Sequence, residues 1–152
     1  MQNAIDKISY KIEETSDYLQ LKYFYYANDL EIDLEDEEIP PIIKNWRAIR
    51  SDGELIGGIT LGFREGEYII DGIAVDKRYR KGNLGRELLN TAIDEIKRRN
   101  GNLLYLVARA PKFFAKQGFV SIQRTESPEF FECYTCPQYQ NTCFPEVMRF
   151  EI

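Results

Sequence analysis

Residues 77–86, KRYRKGNLGR, carry five positive charges and no negative one, and a strongly helical pattern follows them. A helix N-terminus offers unpaired backbone N–H groups and a partial positive charge, which together attract anions. Gly82 and Gly85 let the backbone approach a ligand closely and adopt positive φ angles, which Asn83 also tolerates. The pattern therefore predicts a turn that binds an anion such as a pyrophosphate. A solvent-exposed turn with a charged rim is the alternative, because a single Gly-x-x-Gly is weak evidence.

The chain contains no histidine, which excludes Ser-His-Asp and Cys-His catalysis and histidine-based metal sites. Its three cysteines have the spacing C-x2-C-x6-C, at Cys133, Cys136 and Cys143. A zinc ion held by all three would need a fourth ligand, such as Glu132 or Glu146. Cysteines are also readily buried as small apolar groups. We expect reduced structural or cleft-lining thiols and no metal, with bound zinc or a disulfide as alternatives.

The composition is that of a globular protein, with 152 residues, of which 43% are apolar and 30% charged. This length fits one domain, which we place at residues 1–152. The net charge of −5 argues against a general nucleic-acid binder. No apolar run is long enough to span a membrane, and the first residues do not resemble a signal peptide. Together with the odd number of cysteines, these features predict a cytoplasmic protein without nucleic-acid or membrane partners.

Hydrophobic periodicity predicts the elements that position the basic turn. Hairpin turns at Asp52-Gly53 and Glu65-Gly66 separate three antiparallel strands, and the third strand runs directly into the turn. Apolar residues at helical spacing, from Leu84 to Ile96, then predict an amphipathic helix. The predicted strands are 5–12, 46–51, 54–63, 67–75, 103–108 and 119–124. The first predicted helix begins at Thr15 or Ser16. The second begins at the basic turn and ends near Asn100 or Gly101, and the third begins at Pro111 and ends at Gly118.

These motifs resemble the GNAT superfamily of N-acetyltransferases. Its acetyl-CoA motif, Arg/Gln-x-x-Gly-x-Gly/Ala, follows the fourth strand and opens the central helix. The segment RKGNLG, residues 80–85, stands at that place after IAVDKRYR, with Asn83 where a glycine is usual. LYLVARAPKFFAKQGFV is similar to the next strand, short helix and terminal Gly-Phe of the family. The resemblance covers about residues 46 to 124. It implies an α/β (α+β) fold with a mixed, mostly antiparallel sheet, helices on both faces, and a splay between the fourth and fifth strands.

The resemblance also implies acetyl-CoA as cosubstrate. Its pyrophosphate would lie on backbone N–H groups of the glycine turn, and its pantetheine arm would pair with the edge of the fourth strand. The cofactor-binding residues implied in this way are Ile73, Ala74, Val75, Arg80, Lys81, Gly82, Asn83, Leu84, Gly85, Arg86 and Phe114. Acetyl would pass directly from the thioester to an amine.

Asp71, in YIIDGIAV, is the candidate catalytic base, because a protonated amine must lose a proton before it attacks. An acidic residue is otherwise unfavourable within a β-strand. An exposed side chain or an ion pair with a basic residue is the alternative explanation. Glu67 lies on the same side of an ideal strand but in a turn, so it ranks lower. Phe114 stands where many family members carry a tyrosine that protonates the thiolate; water, Tyr134 or Tyr139 would then have to replace it.

The tail weakly resembles that of short glutamate N-acetyltransferases, with its Cys-x-x-Cys-Pro motif. For such an acceptor, Arg47, Arg50, Arg64 or Arg109 would have to recognise the carboxylates. We expect the protein to acetylate a small amine or amino acid. A protein or peptide acceptor and a non-catalytic acetyl-CoA-binding module are the alternatives. A homodimer is left open.

Overall fold

The computed structural model describes residues 9–28, 30, 41–108, 110–123 and 146–152. Its strands are β1 (Tyr10–Thr15), β2 (Ile42–Arg50), β3 (Leu55–Arg64), β4 (Glu67–Val75), β5 (Leu103–Ala108), β6 (Val120–Ser121) and β7 (Glu146–Glu151); its α-helices are α1 (Tyr18–Ala27), α2 (Leu84–Arg98) and α3 (Pro111–Lys116), and a short 3-10 helix spans Lys77–Tyr79. Within these residues the strands form one sheet in the order β1-β2-β3-β4-β5-β7-β6. Among the described strands, β4 and β5 are the one pair that is parallel, so the predicted mixed, mostly antiparallel sheet is confirmed.

The amphipathic helix α2 covers one face of the sheet. Its apolar row, which the sequence predicted, is buried against the large core cluster together with side chains of β2 to β5. Asn100, at φ 62°, follows the helix in the left-handed conformation that the sequence predicted for its end. Burial of this row anchors the N-terminus of α2 beside the end of β4, which is where the basic turn lies.

Helix α1 covers the opposite face of the sheet. A Cβ atom added to Gly58 would lie 2.5 Å from Leu21 Cδ2, and one added to Gly72 would lie 2.6 Å from Tyr25 Cε2. These two glycines therefore let α1 pack directly on the backbone of β3 and β4. With α2 on one side and α1 on the other, the predicted placement of helices on both faces is confirmed.

The predicted meander is formed by β2, β3 and β4, and a β-bulge interrupts its second ladder. Thr60 pairs with Gly72, but Leu61 pairs with Ile70, so Asp71 is an extra residue in β4. Bulges bend a strand and redirect side chains. Here the bulge lies two residues beyond Ile69, the last β4 residue paired with β5.

Some predicted boundaries differ from the structure. The first strand continues to Thr15, which pairs with Asn45, so Asp17 caps α1 instead of Thr15 or Ser16; its Oδ1 accepts from Gln20 N at 3.0 Å. β2 begins at Ile42, four residues before the predicted start, because its first residues pair with β3. Of the predicted strand 119–124, the described residues 119–123 form a strand only at Val120–Ser121, whose partners are on β7. Residues 5–8 of the first predicted strand lie outside the described residues.

Candidate active site

A cleft opens between β4 and β5. The two strands pair only at Tyr68 with Leu104 and at Ile69 with Tyr105, although β4 continues to Val75. The edge formed by Ile73, Ala74 and Val75 therefore has no partner on β5 in the described chain. This is the splay that the family resemblance implied, and its closed end is at Ile69 and Tyr105.

The basic turn lies at the open end of this cleft. Asn83 precedes α2, and its side chain makes no capping hydrogen bond. At α1, by contrast, Asp17 caps the helix N-terminus. The first N–H groups of α2 therefore keep their capacity to bind an anion.

The turn does not use the positive φ angles that its glycines allow. None of Gly82, Asn83 and Gly85 has a positive φ, and Asn83 has φ −94°. A Cβ atom at Gly82 would meet only Tyr79 O, at 3.7 Å, so the space around Gly82 is open. A Cβ atom at Gly85 would lie 3.1 Å from Phe113 Cζ. Gly85 therefore packs closely against α3, whereas Gly82 leaves room beside the turn.

The positive charges of the turn are not equivalent. The Arg78 guanidinium contacts Glu54 Oε2 at 2.6 Å and Asp76 Oδ2 at 3.1 Å, so its charge is internally neutralised. Arg80 donates from Nε to Val75 O at 2.8 Å and thereby fixes the end of β4. Neither Lys81 nor Arg86 forms an ion pair or a side-chain hydrogen bond within the described part of the chain. These two side chains keep their charge for an anionic ligand.

The carboxyl group of Asp71 lies over Gly62 on the α1 face of the sheet. A Cβ atom on Gly62 would be 2.1 Å from Asp71 Oδ2, so this glycine makes room for the carboxyl group. Arg64 holds both oxygens, with Nη1 to Oδ2 at 3.0 Å and Nη2 to Oδ1 at 2.8 Å. Burial raises the pKa of Asp71, and the Arg64 guanidinium offsets part of that increase. The structure thus shows the ion pair that was the alternative explanation for Asp71.

A buried hydrogen-bonded chain supports the bulge from the same face. Tyr25 Oη lies 2.7 Å from Thr60 Oγ1, and Thr60 Oγ1 donates to Asn45 Oδ1 at 2.8 Å. Burial raises the pKa of Tyr25 far above its ordinary value. Tyr25 is therefore a neutral hydroxyl that ties α1 to β3 opposite Gly72. Sequence patterns do not indicate these hydrogen bonds, because the three residues are far apart in sequence and have types common in cores and loops.

Phe114 is buried, with 7% of its surface exposed, and its ring packs edge-on against Phe113 and Phe119. It belongs to the core cluster under α3. It therefore contributes an apolar surface near the N-terminus of α2 and no proton donor. Tyr134 and Tyr139, the suggested replacements for a tyrosine here, lie outside the described residues.

Three of the four arginines suggested as carboxylate-binding residues have internal partners. Arg47 donates to Glu13 Oε2 and to Gln20 Oε1, and Arg50 donates to Tyr79 Oη at 2.7 Å and contacts Glu54. Arg64 is held by Asp71, as described above. Arg109 lies outside the described residues. The sequence could not reveal the partners of Arg47 and Arg50, because these contacts join different secondary-structure elements. Arg47 of β2 contacts residues of β1 and α1, and Arg50 of β2 contacts Tyr79 of the 3-10 helix.

The described residues bring together no group of three His, Cys, Asp or Glu side chains that could bind a metal. Cys133, Cys136, Cys143 and Glu132 lie outside the described residues, so the zinc, thiol and disulfide alternatives stay predictions. None of the helices in the described part of the chain has the length and apolar character needed to cross a membrane.

The sequence matches the model of the acetyltransferase (GNAT) family over residues 8–119. The chain therefore belongs to this family of acyl-transferring enzymes. No curated protein sequence is significantly similar to it.

Several solved structures have the same fold. A GNAT family acetyltransferase from Elizabethkingia anophelis, with acetyl-CoA bound, has a TM-score of 0.70 at 19% identity and covers 94% of this chain and 98% of its own. N-acetylglutamate synthase from Neisseria gonorrhoeae, in complex with coenzyme A and N-acetyl-glutamate, has a TM-score of 0.72 at 17% identity and covers 95% of this chain and 35% of its own. The ribosomal-protein-S18-alanine N-acetyltransferase of Escherichia coli has a TM-score of 0.68 at 18% identity, with 95% and 94% covered.

Proposed function

We propose that this GNAT protein transfers acetyl from acetyl-CoA to the primary amine of a small molecule or amino acid. The observation that carries the proposal is the uncapped N-terminus of α2 at the open end of the β4–β5 cleft. An anion-binding turn beside an unpaired strand edge suits a ligand with a pyrophosphate at one end and an extended, amide-bearing arm. Similar structures with bound acetyl-CoA or coenzyme A support the choice of this ligand.

Each implied cofactor-binding residue has a distinct part in this proposal. The backbone around Gly82 to Arg86 donates to the pyrophosphate, and Lys81 and Arg86 add full charges. The edge at Ile73 to Val75 pairs with the pantetheine arm, as an added strand would. Arg80 acts on the protein itself, because it holds the Val75 carbonyl. Phe114 supports Phe113, which packs over Gly85.

The reaction is an acyl substitution. The neutral amine attacks the thioester carbonyl carbon, a C–N bond forms, and the C–S bond breaks as the thiolate leaves. The amine loses a proton to a base, directly or through water, and we propose Asp71 as this base. Two observations support the choice. Asp71 is the bulged residue of β4, two positions beyond Ile69 at the closed end of the cleft, and burial raises the pKa of the Asp71 carboxyl group. Phe114 offers no acid, so the thiolate takes its proton from solvent.

Turnover with a panel of primary amines tests this function. Purified protein is mixed with acetyl-CoA and each amine, free thiol release is followed, and the acetylated product is identified by mass. We expect product from at least one small amine or amino acid. Product only from peptide amines would favour the protein-acceptor alternative, and tight coenzyme A binding without any thiol release would favour the non-catalytic module.

A further inference from the structure

Arg149 on β7 is partly exposed, but its Nε atom is buried and makes no hydrogen bond within the described part of the chain. Most other described arginines have a partner: Arg47, Arg50, Arg64, Arg78, Arg98 and Arg99 contact carboxylate oxygens, and Arg80 donates to backbone carbonyls. Buried polar groups without a partner are rare in folded proteins, because the lost hydration is not replaced. A missing ligand is one physical explanation for such a donor.

Arg149 lies on the sheet face that carries the Asp71 carboxyl group. In the register of the sheet, Gly62 pairs with Ile69, Ile69 with Tyr105, and Tyr105 with Arg149. Directly paired residues point to the same face of a sheet. The Asp71 carboxyl group lies over Gly62, at one end of this row. Asp71 and Arg149 therefore flank the pair of Ile69 and Tyr105 from opposite sides.

This row is also the level at which the β4–β5 cleft closes. Ile69 and Tyr105 are the last paired residues before the strands diverge. A pantetheine arm that enters beside Val75 would extend toward this closed end, so the thioester would come to lie here. Strands are spaced about 4.8 Å apart, so the centre of the cleft is roughly 7 Å from the backbone of β7. An arginine side chain is long enough to reach an acceptor group beside the thioester.

We propose that Arg149 binds a carboxylate of the acceptor and thereby selects amino acids over simple amines. The inference rests on the proposed function and specifies its substrate class. The planar guanidinium can donate from Nε and one Nη to the two oxygens of a carboxylate. That contact would satisfy the buried Nε. The protein has a net charge of −5 and carries Asp71 on this face, and both disfavour an anionic acceptor. Arg149 would give such an acceptor a favourable partner.

The test compares L-amino acids with their carboxamides, which keep the amine and side chain but lose the α-carboxylate. Wild-type protein should show a higher kcat/KM with at least one amino acid than with its amide. Arg149→Gln should lower kcat/KM for that amino acid roughly 10- to 100-fold, mainly through KM, because a charge-assisted bidentate contact is lost. The amide should be affected little, and Arg149→Lys should restore part of the difference.

Two measurements separate this role from a structural one. The melting temperature of Arg149→Gln should equal or exceed that of the wild type, since the removed Nε has no partner to lose. Arg98→Gln removes the same charge at the C-terminal end of α2, on the opposite face, and should leave the preference for amino acids unchanged. Equal kcat/KM for amino acids and amides in the wild type, or an equal loss for both in Arg149→Gln, would overturn the inference.

A binding experiment keeps the inference testable if acetyl transfer itself fails. Calorimetry with the panel amino acids and amides, in the presence of coenzyme A, measures recognition without turnover. Amino-acid binding that Arg149→Gln abolishes would uphold the carboxylate contact even without product. Binding of no amino acid, or binding unchanged in the variant, would refute it, whereas absence of turnover with every amine refutes only the proposed function.

Discussion

Two opposing effects act on the Asp71 carboxyl group. Burial disfavours its charge and raises the pKa, while a bidentate contact with Arg64 favours the charge. Burial is the larger effect, so the carboxylate is more basic than an ordinary aspartate. A base of this kind suits proton removal from an ammonium, and the same contact would also hold the bulge in place.

The pH profile of Asp71→Asn distinguishes a base from a structural partner. If Asp71 is the base, the substitution should lower turnover by about 10²- to 10⁴-fold at pH values below the pKa of the acceptor amine. The loss should shrink as the pH rises, because the amine then becomes neutral without a base. Acetyl-CoA binding should change little. Arg64→Gln serves as the comparison, because it breaks the same ion pair but keeps the carboxylate. An equal loss at every pH in both variants would show that the ion pair acts only as a support.

The two glycines of the turn predict different outcomes on substitution. Gly82→Ala places a methyl group in open space, so the protein should keep its melting temperature. If phosphates lie against this backbone, the stabilisation by coenzyme A should fall strongly. Gly85→Ala presses on the Phe113 ring at 3.1 Å and should lower the melting temperature even without ligand. A full response to coenzyme A in Gly82→Ala would place the phosphates elsewhere.

At the scale of elements, the sequence predicts the features that depend on residues close together in the sequence. The hairpins at Gly53 and Gly66 follow from residues that suit positive φ, and both glycines have it. The bulge at Asp71 was not predicted, because it depends on the register of β3 against β4. The pairing of Arg78 with Glu54 likewise joins residues 24 positions apart, so the sequence alone could not separate neutralised from available cations.

The junction of α2 with β2 is held by a buried carboxylate. Glu95 accepts from Arg98 and Arg99 of its own helix end and from Lys44 of β2. The Arg98 guanidinium is the largest cause that lowers the pKa of Glu95 to about 2. A carboxyl group with a lowered folded-state pKa stabilises the protein above its unfolded pKa, near 4.5, and loses this contribution as the pH falls toward 2.

Melting curves of Glu95→Gln across pH 2 to 7 test this contribution. At pH 7 the variant should melt at least a few degrees below the wild type, because three cations lose their anionic partner. The difference should shrink as the pH falls from about 4.5 toward 2, where the wild-type carboxyl group becomes protonated. Asp94→Asn, an exposed neighbour on the same helix, serves as the control. If the difference in melting temperature is constant over this pH range, the shape of the Glu95 side chain, and not its charge, stabilises the protein.

At the scale of the whole molecule, net charge and ligand charge oppose each other. The chain carries −5, and coenzyme A, the proposed ligand, is strongly anionic, so long-range electrostatics disfavour their association. For coenzyme A to bind, local cations would have to compensate, and only those without an internal carboxylate can do so fully. The structure separates Lys81 and Arg86, which have no such partner in the described chain, from Arg78, which has two.

Coenzyme A affinity as a function of salt tests this division of charges. Wild-type affinity should fall as ionic strength rises, because exposed charge pairs are screened over a Debye length of about 8 Å at physiological salt. The double variant Lys81→Gln, Arg86→Gln should bind roughly 10-fold or more weakly at low salt and show a flatter salt dependence. Arg78→Gln should change affinity far less, since Glu54 and Asp76 already neutralise that guanidinium. If Arg78→Gln weakens binding as much as the double variant does, the ion pairs of Arg78 must rearrange when coenzyme A binds, and the charge assignment would be wrong.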